Sequence, residues 1–149
     1  MADATTPPTK TPWHLWVVGV VSLLWDAMGA MDFTMTQMKN EAYIKAFTPE
    51  QLTYFYGIPF WVSLAWGLGT WGSLIGSGLL LARCGVAYHL FVASFSGMIL
   101  TFTYNYLLSD GLKVMGGGVR PLIFSGVIFV IALLLLVYAR AMRKRGVLR

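Results

Sequence analysis

Charge is scarce in this chain. Lys, Arg, Asp and Glu make up 11% of its 149 residues, where soluble domains carry about 25%. A water-soluble globule of ordinary composition is thereby excluded. One cysteine, Cys84, rules out an internal disulfide. It follows Arg83 at an expected helix C-terminus, which disfavours a thiolate, and is read as inert. The two histidines, His14 and His89, have no metal-ligand spacing around them, and His89 reads as a satisfied interface histidine. Gly116-Gly117-Gly118 is a flexible turn without the Lys-Ser ending of a phosphate loop. No nucleophile–base set and no cofactor fingerprint is present, so neither an enzyme nor a resident cofactor or metal is expected.

Apolar residues fill the space that charge leaves. The chain is 57% hydrophobic with a mean hydropathy of +0.67. Four stretches approach the ~20 residues needed to cross a bilayer. Backbone groups in lipid must be satisfied internally, so each stretch is read as a helix. The expected fold is an all-α membrane protein: a four-helix bundle with spans at about 13–38, 59–82, 86–108 and 121–141. Residues 1–12 form a polar, Thr/Pro-rich tail and residues 143–149 a basic one, flanking a single membrane domain over 13–142. The first span is not read as a cleaved signal, because Lys10 is offset by Asp3 and three tryptophans sit in the apolar run.

The connector between spans one and two carries its own punctuation. Thr48 caps a short helix, Pro49 takes its first position and Gln51 completes a capping box. Leu52, Phe55 and Tyr56 then share one face, which predicts an amphipathic helix on the membrane surface. Gly57 and Pro59 end it.

The net charge of +5 does not point to nucleic acid, because the cations sit at span ends. Lys10, Arg83, Arg140, Arg143, Lys144, Arg145 and Arg149 fall on one side, against Lys39, Lys45, Lys113 and Arg120 on the other. That majority predicts both termini on the cytoplasmic side of the membrane. The bilayer is the first expected partner, with a homodimer or a larger membrane complex left open.

Two acids interrupt the first span. A carboxylate at a bilayer centre costs roughly 3 kcal/mol on insertion scales. Asp26 and Asp32 are therefore the leading candidates for a polar site within the membrane. Six residues at 100° each separate them by roughly 120° around the helix, so a shared-proton dyad is not expected. By depth, the partners expected for Asp26 are Thr70, the Trp66 or Trp71 indole, or Thr101, while Tyr104 and Asn105 lie level with Asp32. Asp26 acts either as a proton-linked group on a solute path or as a hydrogen-bonded pin between helices. Met28, Met31, Met35 and Met38 form a stripe that reads as packing rather than a Cu(I) site. Gly72-x-x-x-Gly76, extended by Gly69, Ser73 and Ser77, predicts close helix approach within the bundle or across a dimer.

Trp25-Asp26-x-x-Gly29-x-x-Asp32-Phe33-x-x-Thr36, with Tyr43, Thr48-Pro49-Glu50-Gln51 and Pro59-x-Trp61, resembles a family of small four-helix proteobacterial inner-membrane proteins. Its members are usually labelled hypothetical proteins or sugar transporters. The resemblance covers spans one to three. It implies an inner-membrane bundle with a hydrogen-bonding residue at the Asp26 position, and no defined mechanism. Two functions compete: an accessory or scaffold subunit or small-ligand-binding bundle, and a small-solute transporter. The first predicts a private partner for each polar side chain. The second predicts an aqueous cavity reaching Asp26.

Overall fold

A computed structural model of the chain describes residues 9–149. Most of the tail expected over 1–12 lies outside the described residues. Every regular element among the described residues is helical. They are α1 (Trp13–Gln37), α2 (Glu41–Ile44), α3 (Pro49–Tyr56), α4 (Phe60–Leu81), α5 (Val86–Thr103), a π-helical turn (Tyr104–Leu108), α6 (Gly111–Val114) and α7 (Arg120–Lys144). Four of them, α1, α4, α5 with its π turn, and α7, are long and apolar enough to cross a membrane. This is a multi-pass membrane protein built as an all-α four-span bundle.

The first three long helices begin and end within a residue of the limits expected for their spans. The fourth helix runs three residues further, to Lys144, because Arg140, Arg143 and Lys144 are good helix formers that continue past the apolar run. The connector resolves into two helices. Asn40 caps α2 by accepting from the Tyr43 amide at 3.1 Å. Thr48 and Gln51 close the capping box on α3, with Pro49 in its first turn.

The helices pack in the order α1, α4, α5, α7, with α4 at the centre of the first three. Glycine determines how closely α4 and α5 approach. A Cβ at Gly69 would lie 3.5 Å from the Met98 amide, one at Gly72 3.5 Å from the Ser94 side chain, and one at Gly76 3.0 Å from the Phe91 ring. The small-residue face of α4 is thus used inside the bundle. From the other side, a Cβ at Gly97 would reach the Ala65 carbonyl at 2.5 Å. Ser94 fastens the seam, its hydroxyl donating to the Gly69 carbonyl at 2.6 Å.

All four spans meet at one end, here the near end. Leu15, Leu80, Ala87, Phe91, Leu135, Ala139 and Met142 form its core, joined by Val147 and Leu148. Residues 145–149 therefore do not trail away as a plain basic tail. Gly146, at φ 73°, turns the chain back beneath the bundle. The Arg149 amide then donates to the Arg83 carbonyl at 2.9 Å, and the Gly85 amide donates to the Arg149 carbonyl at 2.7 Å. Thr11 joins the same knot by accepting from the Arg83 guanidinium at 2.9 Å.

Candidate functional site

Asp26 lies midway along α1 and is 7% exposed. Its Oδ2 accepts from the Ser77 hydroxyl on α4 at 2.5 Å. Ser77 is wholly buried. Ser73, one turn earlier on α4, faces the same carboxyl. The sequence pointed instead to Thr70, Trp66, Trp71 or Thr101. Thr70 donates to its own helix, to the carbonyls of Trp66 and Gly67. Trp71 donates to the Thr34 hydroxyl at 3.1 Å. Thr101 donates back to the Gly97 carbonyl at 2.9 Å, and Trp66 packs against Phe33 and Phe55.

The correction has one cause. The depth argument set the start of α1 level with the end of α4. In the fold Gly19 lies against Leu81, Gly29 against Thr70, and Phe33 against Gly67. The six residues of α1 before Gly19 overhang α4 by about 9 Å. The folded-back segment 145–149 fills the space beside them, packing Val147 and Leu148 against Leu15. Asp26 is thereby carried toward the near end, to the level of Ser77.

Asp32 is partnered separately. Its carboxylate accepts from the Tyr43 hydroxyl, brought back over the end of α1 by the α2 turn. Burial, followed by the hydrogen bond to Asp32 and its negative charge, pushes the Tyr43 phenol up to about 12. A phenol whose folded pKa is raised stabilises the fold fully below its unfolded value near 10. That contribution is lost as pH rises through about 12. The expected result of an ultraviolet tyrosinate titration is a step near pH 12 in the wild type that belongs to Tyr43, beside whatever delay burial imposes on other phenols such as Tyr54. That late step should be missing in Tyr43→Phe and shifted toward pH 10 in Asp32→Asn. A wild-type titration identical to Tyr43→Phe would refute the pairing.

Asn105 sits on the π turn and accepts from the Tyr54 hydroxyl at 2.6 Å. Tyr54 also lies 2.8 Å from the Ser109 hydroxyl, which in turn reaches the Tyr104 carbonyl at 2.8 Å. Burial raises the Tyr54 phenol, and the hydrogen bond from Ser109 opposes that rise. Tyr104 meets Trp61 edge-on, with ring centroids 5.8 Å apart.

The five polar candidates therefore do not converge. Asp26 is bonded within the α1–α4 seam, Asp32 to α2 and Asn105 to α3, while Thr70 and Tyr104 bond to neither acid. Two shallow recesses open at the far end. One, of about 470 Å³, is lined by α3, Asp110 and Val114. The other, of about 330 Å³, is lined by Tyr106, Met115, Arg120, Pro121, Phe124 and Ser125. Neither contains Asp26 or Asp32. Among the described residues no three His, Cys, Asp or Glu side chains are grouped to hold a metal ion.

Sequence reasoning placed Ser77 only on the small-residue face of α4, not as the partner of Asp26, and passed over Tyr54, Gly97 and the π turn. Ser73 and Ser77, one turn apart on the glycine face of α4, were the available signal for that pairing. The others depend on contacts between distant parts of the chain. No family model, curated protein or solved structure matches this chain.

Proposed function

We propose that this protein is a non-enzymatic accessory or scaffold subunit of a bacterial inner-membrane assembly, with residues 9–12 and 145–149 in the cytoplasm. The observation that carries the reading is the separate pairing of Asp26, Asp32 and Asn105, each with a partner of its own. Asp26 is matched by Ser77, Asp32 by Tyr43 and Asn105 by Tyr54. Such bonds position helices, and neither of the two far-end recesses is lined by the buried acid. Lateral surface is plentiful by contrast. The fourth span, α7, is the most apolar of the four, and only 11% of its apolar window is buried. Leu122, Val130, Leu134 and Val137 are all exposed along it. Cations crowd the near end, which supports the cytoplasmic placement. The resemblance of the first-span motif to small proteobacterial inner-membrane proteins supports the same compartment.

Photocrosslinking in cells tests this directly. A photoreactive residue at Val130, Leu134 or Val137 is expected to trap a discrete protein partner. The same probe at Leu135, buried inside the bundle, is expected to trap none. Adducts with lipid alone, from a protein that purifies as a monomer, would overturn the proposal. The transporter reading requires Asp26 to exchange protons with water. Carboxyl infrared titration in lipid, with Asp26→Asn as reference, separates the two. A band titrating between about pH 6 and 9 favours transport, and a band fixed across that range favours the scaffold.

A further inference from the structure

Arg120 lacks what buried and interfacial arginines usually have. Among the described residues the one ion pair joins Lys113 to Asp110, at 3.5 Å and in the open, and Arg120 has no carboxylate within reach. It stands on the rim of the 330 Å³ recess at the far end. Across the recess are two hydroxyls. Tyr106, on the π turn of the third span, is hydrogen-bonded to Ser125 on α7 and makes a longer contact, 3.3 Å, to the Pro121 carbonyl. One of the two hydroxyl protons is used in the mutual bond, and the other is held weakly enough to turn toward an incoming oxygen. Met115, Pro121 and Phe124 supply the apolar part of the lining.

From this juxtaposition we propose a binding site for a phosphate-class oxyanion carried on an apolar body. Arg120 and the Tyr106–Ser125 hydroxyls take the oxyanion, and Phe124 takes the apolar part. The chemistry fits the depth. Arg120 opens α7 at the level where the span leaves the membrane, and Ser125 is five residues further in, about 7.5 Å deeper. A guanidinium at an interface and hydroxyls just below it match a headgroup phosphate and the glycerol region beneath. The exposed Phe124, Ile123 and Val127 continue the apolar path along the outside of α7. The amino-terminal end of α7 adds a partial positive charge to the same rim. Gly116, Gly117 and Gly118 border the recess through Met115, all at positive φ and with open space around each. That loop can be displaced without disturbing packed side chains. The site stands or falls independently of the scaffold reading, since it makes no use of α7's outer face beyond Val127.

Native mass spectrometry of the delipidated full chain provides the test. The probes are dioleoylphosphatidylglycerol, the phosphate-free dioleoylglycerol and inorganic phosphate. One phosphatidylglycerol per chain is expected to be retained, and dioleoylglycerol is not. Arg120→Gln is expected to weaken retention about tenfold, the scale of one lost charge-assisted hydrogen bond. Arg140→Gln, a cation at the near end, leaves it unchanged. Tyr106→Phe keeps the ring and the fold while removing a hydroxyl, so it reads the site even if Arg120→Gln proves unstable; a weaker loss is expected. Displacement by millimolar phosphate would identify a free anion as the source, and resistance to it a lipid headgroup. Retention of phosphatidylglycerol unaltered in both Arg120→Gln and Tyr106→Phe, or equal retention of dioleoylglycerol, would overturn the proposal.

Discussion

Replacing Gly97 with leucine is expected to separate α4 from α5 and to be the most damaging single change in the membrane domain. Even the Cβ of an alanine at this position would lie 2.5 Å from the Ala65 carbonyl and 3.2 Å from the Gly69 amide. Both obstacles are backbone atoms, so no side chain can rotate aside. Overpacking of this kind costs about 1–3 kcal/mol for the first added carbons, and a leucine exceeds that range because the helices must part. Parting them also breaks the Ser94–Gly69 bond. The control is Gly126→Ala, where nothing lies within 4 Å. There the only effect is the gain in helix propensity, up to ~1 kcal/mol. Unfolding by SDS in mixed micelles, followed by circular dichroism, should rank Gly126→Ala first, then wild type, Gly97→Ala and Gly97→Leu. Equal midpoints for the two alanine variants would mean that the seam is looser than described.

The second large effect is at Ser77. Ser77→Ala leaves the Asp26 carboxyl without its 2.5 Å donor in a wholly buried position. Hydrogen bonds between membrane helices are worth about 1–2 kcal/mol at most, and a carboxyl left with Ser73 alone adds part of its desolvation cost. The expected loss is therefore about 2 kcal/mol, smaller than at Gly97 because Ser73 still faces the carboxyl and no helices have to part. Asp26→Asn retains an acceptor for Ser77 and should stay within about 1 kcal/mol of wild type. A double-mutant cycle with Asp26→Leu makes the assignment. Once the carboxyl is gone, Ser77→Ala should cost little, and strict additivity would show that the two residues do not act together.

The legibility of the fold in the sequence was uneven, for physical reasons. Span existence follows from local composition, since each helix needs its own twenty apolar residues. The cap at Thr48–Gln51 is equally local, and its bonds run between residues three apart. Register is not local. The slide of α1 past α4 goes together with a core in which Leu15 is joined by Val147 and Leu148, more than a hundred residues away along the chain. No depth count within α1 contains that information, and the error it left was about six residues, enough to exchange Ser77 for Thr70. The Tyr54–Asn105 bond joins residues 51 apart and needs the π turn to present Asn105 toward α3. The glycine face of α4 was visible in its spacing. Its counterpart Gly97 stood alone in α5 and gave no pattern.

The knot at the near end has a mechanical corollary. All four spans and the returning segment are stitched together there, whereas the far end relies on single phenol bonds, ring edges and a glycine loop. Compliance is thus graded along the bundle axis, like that of tongs held at the pivot. Thermal motion will concentrate at the tips, around Tyr54, Asn105 and Arg120. Amide exchange should run fastest there and slow steadily toward Leu15 and Leu80. Whatever docks on α7 meets a clamped helix at one end and a movable one at the other.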